Sequence, residues 1–313
     1  VLTPSGVASI TDILSCFLAP GDHLLMVDST YGPTRNFCLG ALAARGVETT
    51  FYAPTLSDDI EGLICDNTKM VFLESPGTAS FEVQDVPAIA AVARRRGILT
   101  AIDNTWATPL LFNPLDHGVD LAMQSGTKYL NGHADCMFGV TTTRDEDLFQ
   151  RLKRFTLSSG SHLAPDEAAL AHRGLRTLPV RLRAHEQAGL ELAHWLEGHP
   201  RVRRLLHPAF ESCPGHARFR RDFNGASGLF GVLLEVGDER GLARFIDALT
   251  LFGVGYSWGG FESLALPMSP VRSCESVSVA ADEALVRFHI GLEDTADLIA
   301  ELEAALAAID RSA

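Results

Sequence analysis

No apolar run in this sequence approaches the length of about twenty residues that a bilayer-spanning helix needs, and the opening stretch does not read as a secretory leader. The six cysteines, Cys16, Cys38, Cys65, Cys136, Cys213 and Cys274, are scattered and never form a CxxC pair. Neither a zinc ribbon nor a disulfide framework is therefore expected, whereas reduced thiols in the cytoplasm are. Basic charge is scarce too. Against 39 Asp and Glu stand 26 Lys and Arg, a formal net charge of −13. That balance argues against a nucleic-acid surface and against a charge-driven hold on anionic membranes. The basic runs ARRRG and RVRRLL need no ligand; the first ends a helical pattern before Gly97, where positive charge suits the helix dipole. There is no GxxxxGK[ST] loop, and GVGYSWGG has the wrong spacing for a dinucleotide loop, so nucleotide binding is not expected. Low-complexity segments are missing, and an apolar fraction of 46% is ordinary for a globular chain.

What is present is an alternation of strands and helices. HLLMVD, VETTFY, KMVFLES, GILTAID, VDLAMQS and MFGVTTT read as buried strands. Between them, GVASITDILSCFL, TRNFCLGALAARG and VPAIAAVARRRG repeat at the three- and four-residue spacing of helices. This predicts an α/β fold, a mostly parallel sheet with helices on both faces. Ligands of such sheets sit beyond the carboxyl ends of the strands, where Asp103 and Ser125 fall. Past about residue 175 a long helix, Pro179 to Glu197, leads into VRRLLHP, GLFGVLLEV and VRFHIGL, which read as a smaller α+β unit. The 313 residues are thus expected to form a large domain, 1–174, and a small C-terminal domain, 175–313. Asp294 with Asp297 caps the amphipathic helix DLIAELEAALAAI, to which no function is assigned.

The chemistry concentrates around Lys128, in the run QSGTKYLNGHAD, and Asp103, which closes ILTAID. Pyridoxal phosphate needs both groups. An amine condenses with its aldehyde, and a carboxylate beside the pyridine nitrogen keeps that nitrogen protonated, so that the ring takes up electrons. Ser125 and Thr127 bracket the lysine and offer hydroxyl donors to a phosphate. Gly6 and Val7 open the first helix, where free N–H groups and the dipole suit the same phosphate. His133, Asp135 and Cys136 superficially suggest a metal site but lack a second ligand cluster, and they read as a loop beside the lysine. Arg287, inside the apolar run LVRFHIGLED, is costly unless paired and has the planar donor geometry that clamps a carboxylate.

These residues carry a resemblance. SGVAS, VFLESPGT, AIDNTWATPLLF, QSGTKYLNGHAD, RGLRTLPVRLR, YSWGGFESL and RFHIGLED resemble the pyridoxal-phosphate enzymes of cysteine and methionine metabolism, most of all the bacterial cystathionine β-lyases. The resemblance covers nearly the whole chain. It implies a fold-type I architecture, a phosphate role for Gly6 and Val7, and Lys128 as both cofactor anchor and base. It implies that the ring of Tyr31, in DSTYGPT, stacks on the pyridine, with its hydroxyl near the reacting carbons. Arg287 is implied to orient the substrate α-carboxylate, and Tyr256, Ser257 and Trp258 to line the substrate channel. Many relatives acting at the γ-carbon have leucine where Trp258 stands, which tilts the reading toward β-elimination.

The implied reaction takes L-cystathionine to L-homocysteine, pyruvate and ammonia, the leaving thiolate being protonated by Lys128 or Tyr31. γ-Elimination or γ-replacement, desulfhydration of cysteine, and a cofactor-bearing regulatory protein remain as alternatives. A cytoplasmic homotetramer, a dimer of dimers, is implied. So is an N-terminal arm ahead of Val1 that gives a tyrosine and an arginine to a neighbour's phosphate, which makes the chain an expected fragment.

Overall fold

The computed structural model describes residues 1–274 and 277–310. The strands β1 (Leu2–Thr3), β2 (His23–Val27), β3 (Glu48–Tyr52), β4 (Thr68–Glu74), β5 (Leu99–Asp103), β6 (Leu121–Ser125) and β7 (Gly139–Thr142) form one sheet in the order β1-β7-β6-β5-β4-β2-β3. From β3 across to β6 every pairing is parallel. The last two, β6 with β7 and β7 with β1, are antiparallel. All six apolar runs expected as strands belong to this sheet.

The two-residue period of a strand divides those runs between two cores. Leu24, Met26, Met70, Phe72, Leu121 and Met123 face one side, together with Ile10, Ile13 and Leu14 of α1 (Gly6–Phe17). Leu25, Val27, Val71, Leu73 and Ile102 face the other, together with Ile89, Val92 and Ala93. Each fully buried aliphatic side chain contributes roughly 1.5–3 kcal/mol, so the central strands hold the scaffold on both faces. Ser5 starts α1 by accepting a hydrogen bond from the Ala8 N–H at 3.0 Å. The expected helix TRNFCLGALAARG divides: α2 (Gly32–Phe37) gives way to a π turn over Cys38–Leu42. Gly40 lies inside that turn, and its missing side chain eases the change of pitch.

Next come α3 (Val86–Arg95), α4 (Thr108–Leu111), α5 (Glu146–Ser159), α6 (Pro165–Leu175) and α7 (Leu178–Glu197). The expected boundary at 174/175 falls at the end of α6. Leu178 and Leu182 of α7 belong to the first sheet's core, while Leu192 and Leu196 belong to the second, so α7 spans the two.

The second sheet contains β8 (Val202–Leu206), β9 (Leu229–Glu235), β10 (Gly253–Val254), β11 (Leu264–Met268) and β12 (Glu283–His289), ordered β10-β11-β12-β9-β8. The helices α8 (His216–Asp222), α9 (Glu239–Asp247) and α10 (Thr295–Ala308) accompany it. Val286 and Phe288 pack on α7 and α10. Alternation therefore turns Leu285, Arg287 and His289 toward the first sheet, and Leu285 joins its core.

Candidate active site

Asp103 ends β5 and Ser125 ends β6, neighbouring parallel strands, so both stand at the same edge of the sheet. Thr105 ties them together. Its N–H, at 2.9 Å, and its hydroxyl both donate to Asp103 Oδ1, while its hydroxyl oxygen accepts from the Ser125 N–H at 2.8 Å. Asp103 Oδ2 has no hydrogen-bond partner among the described residues. The chain then curls, with Lys128 N–H donating to the Ser125 carbonyl and Gly132 N–H to the Lys128 carbonyl.

Within this curl Lys128 Nζ donates to Ser257 Oγ at 3.0 Å and stands 5.4 Å from the centre of the Trp258 ring. Burial pushes its amine down to about 8; Arg287 adds to the effect and Asp103 opposes it. The chain has only two other lysines, Lys69 and Lys153, and both are exposed.

The N-terminus of α1 closes on Ser125. A Cβ at Gly6 would sit 2.5 Å from the Ser125 Cβ, so only glycine permits this approach. The N–H groups of Gly6 and Val7 have no acceptor among the described residues and remain free for an anion. Tyr31 precedes α2, with its N–H on Glu74 Oε2 at 2.7 Å. Burial raises its phenol, Glu74 and Asp103 raise it further, and Arg287 pulls the other way. At neutral pH this hydroxyl is a proton donor rather than a base.

Arg287 is 8% exposed, and its Nη2 donates to the carbonyls of Gly255 (3.2 Å), Tyr256 (2.9 Å) and Ser257 (3.3 Å). Burial lowers it to about 10, which leaves it a cation at neutral pH. These bonds hold the 255–258 segment above the lysine. Gly259 continues it at φ +83°, where a Cβ would meet the backbone of Lys128 and Tyr129 at 2.8–3.0 Å.

The structure thus gathers Lys128, Asp103, Ser125, Gly6, Val7, Tyr31, Ser257, Trp258 and Arg287 around one space. Two expected residues sit differently. The Tyr256 side chain is 83% exposed, and it is its carbonyl that meets Arg287. The Thr127 hydroxyl is turned to the backbone of Phe138, accepting from its N–H at 3.1 Å. A cavity of about 480 Å³ beside the lysine is lined by Thr127, Met137, Glu167, Ser257 and Trp258 among others. In the neighbouring loop, Asp135 pairs with Arg173, His133 contacts the Asn131 carbonyl, and Cys136 donates to the Glu167 carbonyl.

Two residues escaped the sequence reading. Glu74, at the end of β4, lies beside Asp103, and its signal was present in the string VFLESPGT. His289, two residues beyond Arg287 on the same strand face, accepts the Gly259 N–H at 3.1 Å and so holds the loop that carries Trp258.

These residues fit pyridoxal phosphate. A largely buried carboxyl with one unpartnered oxygen suits a cationic pyridine N–H. A partly desolvated lysine suits an aldehyde, and two free N–H groups at a helix N-terminus suit a phosphate. A consequence follows for pH. The deprotonated amine is the nucleophile, so the rate at which Lys128 captures the cofactor aldehyde should rise through about pH 8 and level off well before an ordinary lysine would. Stopped-flow absorbance with borohydride trapping measures it; a rate still climbing steeply near pH 10 would contradict the desolvated amine.

Residues 1–307 match the model of the family described as Cys/Met metabolism PLP-dependent enzyme. The cystathionine beta-lyase MetC of Escherichia coli is 42% identical over 318 residues, covering 99% of this chain and 80% of that protein. An L-alanine/L-glutamate racemase of Wolbachia pipientis wMel is 40% identical, covering 98% of this chain and 76% of that one. Among solved structures, cystathionine gamma synthase from Xanthomonas oryzae pv. oryzae, in complex with aminoacrylate and cysteine, superposes with a TM-score of 0.92. It has 30% identity and covers 99% of this chain and 81% of that one.

Proposed function

The chain belongs to the Cys/Met metabolism PLP-dependent enzyme family, and from that membership we propose that it cleaves L-cystathionine at the Cβ–S bond. With one water the products are L-homocysteine, pyruvate and ammonia. The observation that carries the reading is the convergence of the partly desolvated Lys128 amine with Ser257 and Trp258 on one side and the Asp103 carboxyl on the other.

Bound pyridoxal 5′-phosphate supplies an aldehyde for the amines and an electron sink for the charge left on Cα. Gly6, Val7 and Ser125 would hold its phosphate, Tyr31 its ring and Asp103 its pyridine nitrogen, while the Thr127 hydroxyl stays on the Phe138 backbone. The rest falls to this chain's own groups. Arg287 binds the substrate α-carboxylate and thereby sets the direction of the Cα–H bond. The Lys128 amine, poised near neutrality, takes the proton from Cα and returns one to the departing sulfur. Tyr31, held protonated, is a second donor to that sulfur. Trp258 packs edge-on against Tyr129, with ring centres 5.4 Å apart, and gives the substrate stem a rigid wall.

The reading extends to a cytoplasmic enzyme, supported by six unpaired cysteines. It extends also to a homotetramer assembled as a dimer of dimers, and to a division into a cofactor domain, 1–174, and a small domain, 175–313. The test is the product pattern. The protein given pyridoxal phosphate and L-cystathionine should release pyruvate and homocysteine. If α-ketobutyrate and cysteine dominate, the cut is at the γ-carbon. If alanine or glutamate changes hand while cystathionine stays intact, the chemistry is racemisation; either result overturns the proposal.

A further inference from the structure

We propose that Glu74 is a positioning residue of this site, its carboxyl fixing Tyr31 through the backbone and sharing a single buried negative charge with Asp103. The inference rests on the pyridoxal-phosphate reading above and concerns a residue to which that reading gives no part.

Glu74 and Asp103 are register partners on β4 and β5, so their side chains leave the same face of the sheet at its carboxyl edge. Glu74 is 7% exposed. Its Oε2 accepts from the Tyr31 N–H at 2.7 Å and from the Thr30 hydroxyl at 3.3 Å, and its Oε1 meets the Thr78 hydroxyl. All three donors are neutral. Arg272, on the segment between β11 and β12, acts on Glu74 through its charge. Its guanidinium, however, is spent on the Asp28 carbonyl, the Thr78 carbonyl and the Ser80 hydroxyl at 2.6–2.8 Å. The other charges around the pair are Lys128, facing Asp103, and Arg287, facing Tyr31, with Asp28, its ion-pair partner Arg35, and Glu82 beyond Arg272.

Two carboxyls in one buried space resist ionising together. Burial, and then the charge of Asp103, push Glu74 up to about 8, while burial raises Asp103 as well. The pair therefore keeps one proton at neutral pH. A pyridine N–H needs a carboxylate on Asp103, which leaves the proton on Glu74. Neutral Glu74 then turns its O–H to the Thr78 oxygen while Oε2 still accepts from Tyr31. The side chain thus anchors the stacking ring without adding a second charge beside it.

Glutamine has the same shape and the same hydrogen-bonding sense as the neutral acid, which makes Glu74→Gln the decisive variant. Folding favours the protonated form of Glu74, so its contribution to stability falls as pH rises from about 4.5 toward 8 and is constant above that. Cofactor-free Glu74→Gln should melt with the wild type near pH 4.5 and increasingly above it as pH approaches 8. It should bind pyridoxal phosphate within about threefold of wild type at pH 7, and its affinity relative to wild type should change between pH 7 and 9, where Glu74 ionises in the wild type alone. Glu74→Ala, which strands the Tyr31 N–H, should weaken the cofactor about tenfold at all pH values. Identical pH profiles of melting and affinity in wild type and Glu74→Gln would overturn the proposal, as would a folded Glu74→Ala that holds the cofactor at wild-type strength. An alanine variant that does not fold leaves the glutamine comparison to decide. Failure of the wild type to bind pyridoxal phosphate at all would instead count against the cofactor reading, and the melting comparison stands apart from it.

Discussion

Lys128→Ala is expected to lose turnover by about four orders of magnitude or more while keeping its fold. The substitution removes the anchor of the cofactor aldehyde and the base that takes the Cα proton in one step, and general-base loss by itself accounts for roughly 10²–10⁴. Little structural cost should accompany it. Lys128 Nζ makes one side-chain hydrogen bond, to Ser257, and relieving a desolvated cation favours the folded state. Borohydride treatment of the wild type with pyridoxal phosphate should fix the label on one peptide. With Lys69 and Lys153 both exposed on the surface, the mapping is unambiguous. A label on either of those, or a folded Lys128→Ala enzyme with substantial turnover, would end the assignment. A small primary amine added to the variant should restore part of the rate, because the missing group is then a diffusible base.

Asp103→Asn should cost about 3–4 kcal/mol of transition-state stabilisation, a 10²- to 10³-fold loss in kcat, the scale of removing one preorganised electrostatic partner. Asparagine keeps the Thr105 hydrogen bonds in outline but presents no charge to a pyridine N–H. Electron density developing at Cα then has a weaker sink. The neighbouring carboxyl responds as well. With the Asp103 charge gone, one of the two forces raising Glu74 disappears, and that group ionises at lower pH. The variant should therefore bind cofactor, absorb at a shifted wavelength and turn over slowly. Near-normal kcat in a folded, loaded Asp103→Asn protein would remove Asp103 from the mechanism.

Most of the scaffold was legible because strands covered on both faces leave a plain mark, a short segment rich in apolar residues; β3, at the sheet's edge, is the exception, with exposed and half-buried residues alternating from Glu48 to Phe51. All six runs in the first half became strands of one sheet, and their ends put Asp103 and Ser125 where such sheets bind ligands. Direction was harder to read. MFGVTTT looks like its neighbours, yet β7 runs antiparallel, because a strand's apolar content is blind to which way the chain returns. Helix pitch was likewise beyond a three-and-four repeat, which continues through Cys38–Leu42 although the backbone there winds wider.

The sequence by itself determined the chemistry-bearing types and their spacing: a lysine after Ser125 and Thr127, an aspartate closing a buried strand, an arginine inside another, and motifs that name a family. It also determined the two-face alternation that sends Arg287 away from Phe288 and toward the lysine. What only the tertiary structure decided is what those groups meet. Tyr256 and Ser257 are adjacent, but the fold exposes one ring and sets the other hydroxyl 3.0 Å from Lys128 Nζ. Glu74 and Asp103 lie 29 residues apart and become partners only when β4 and β5 align in register. Their mutual charge, and the low dielectric that magnifies it, exist in neither segment alone. The reason is general: residue type fixes which proton a group can carry, while its pKa belongs to the surroundings, and the surroundings come from chain segments that pack together only when the protein folds.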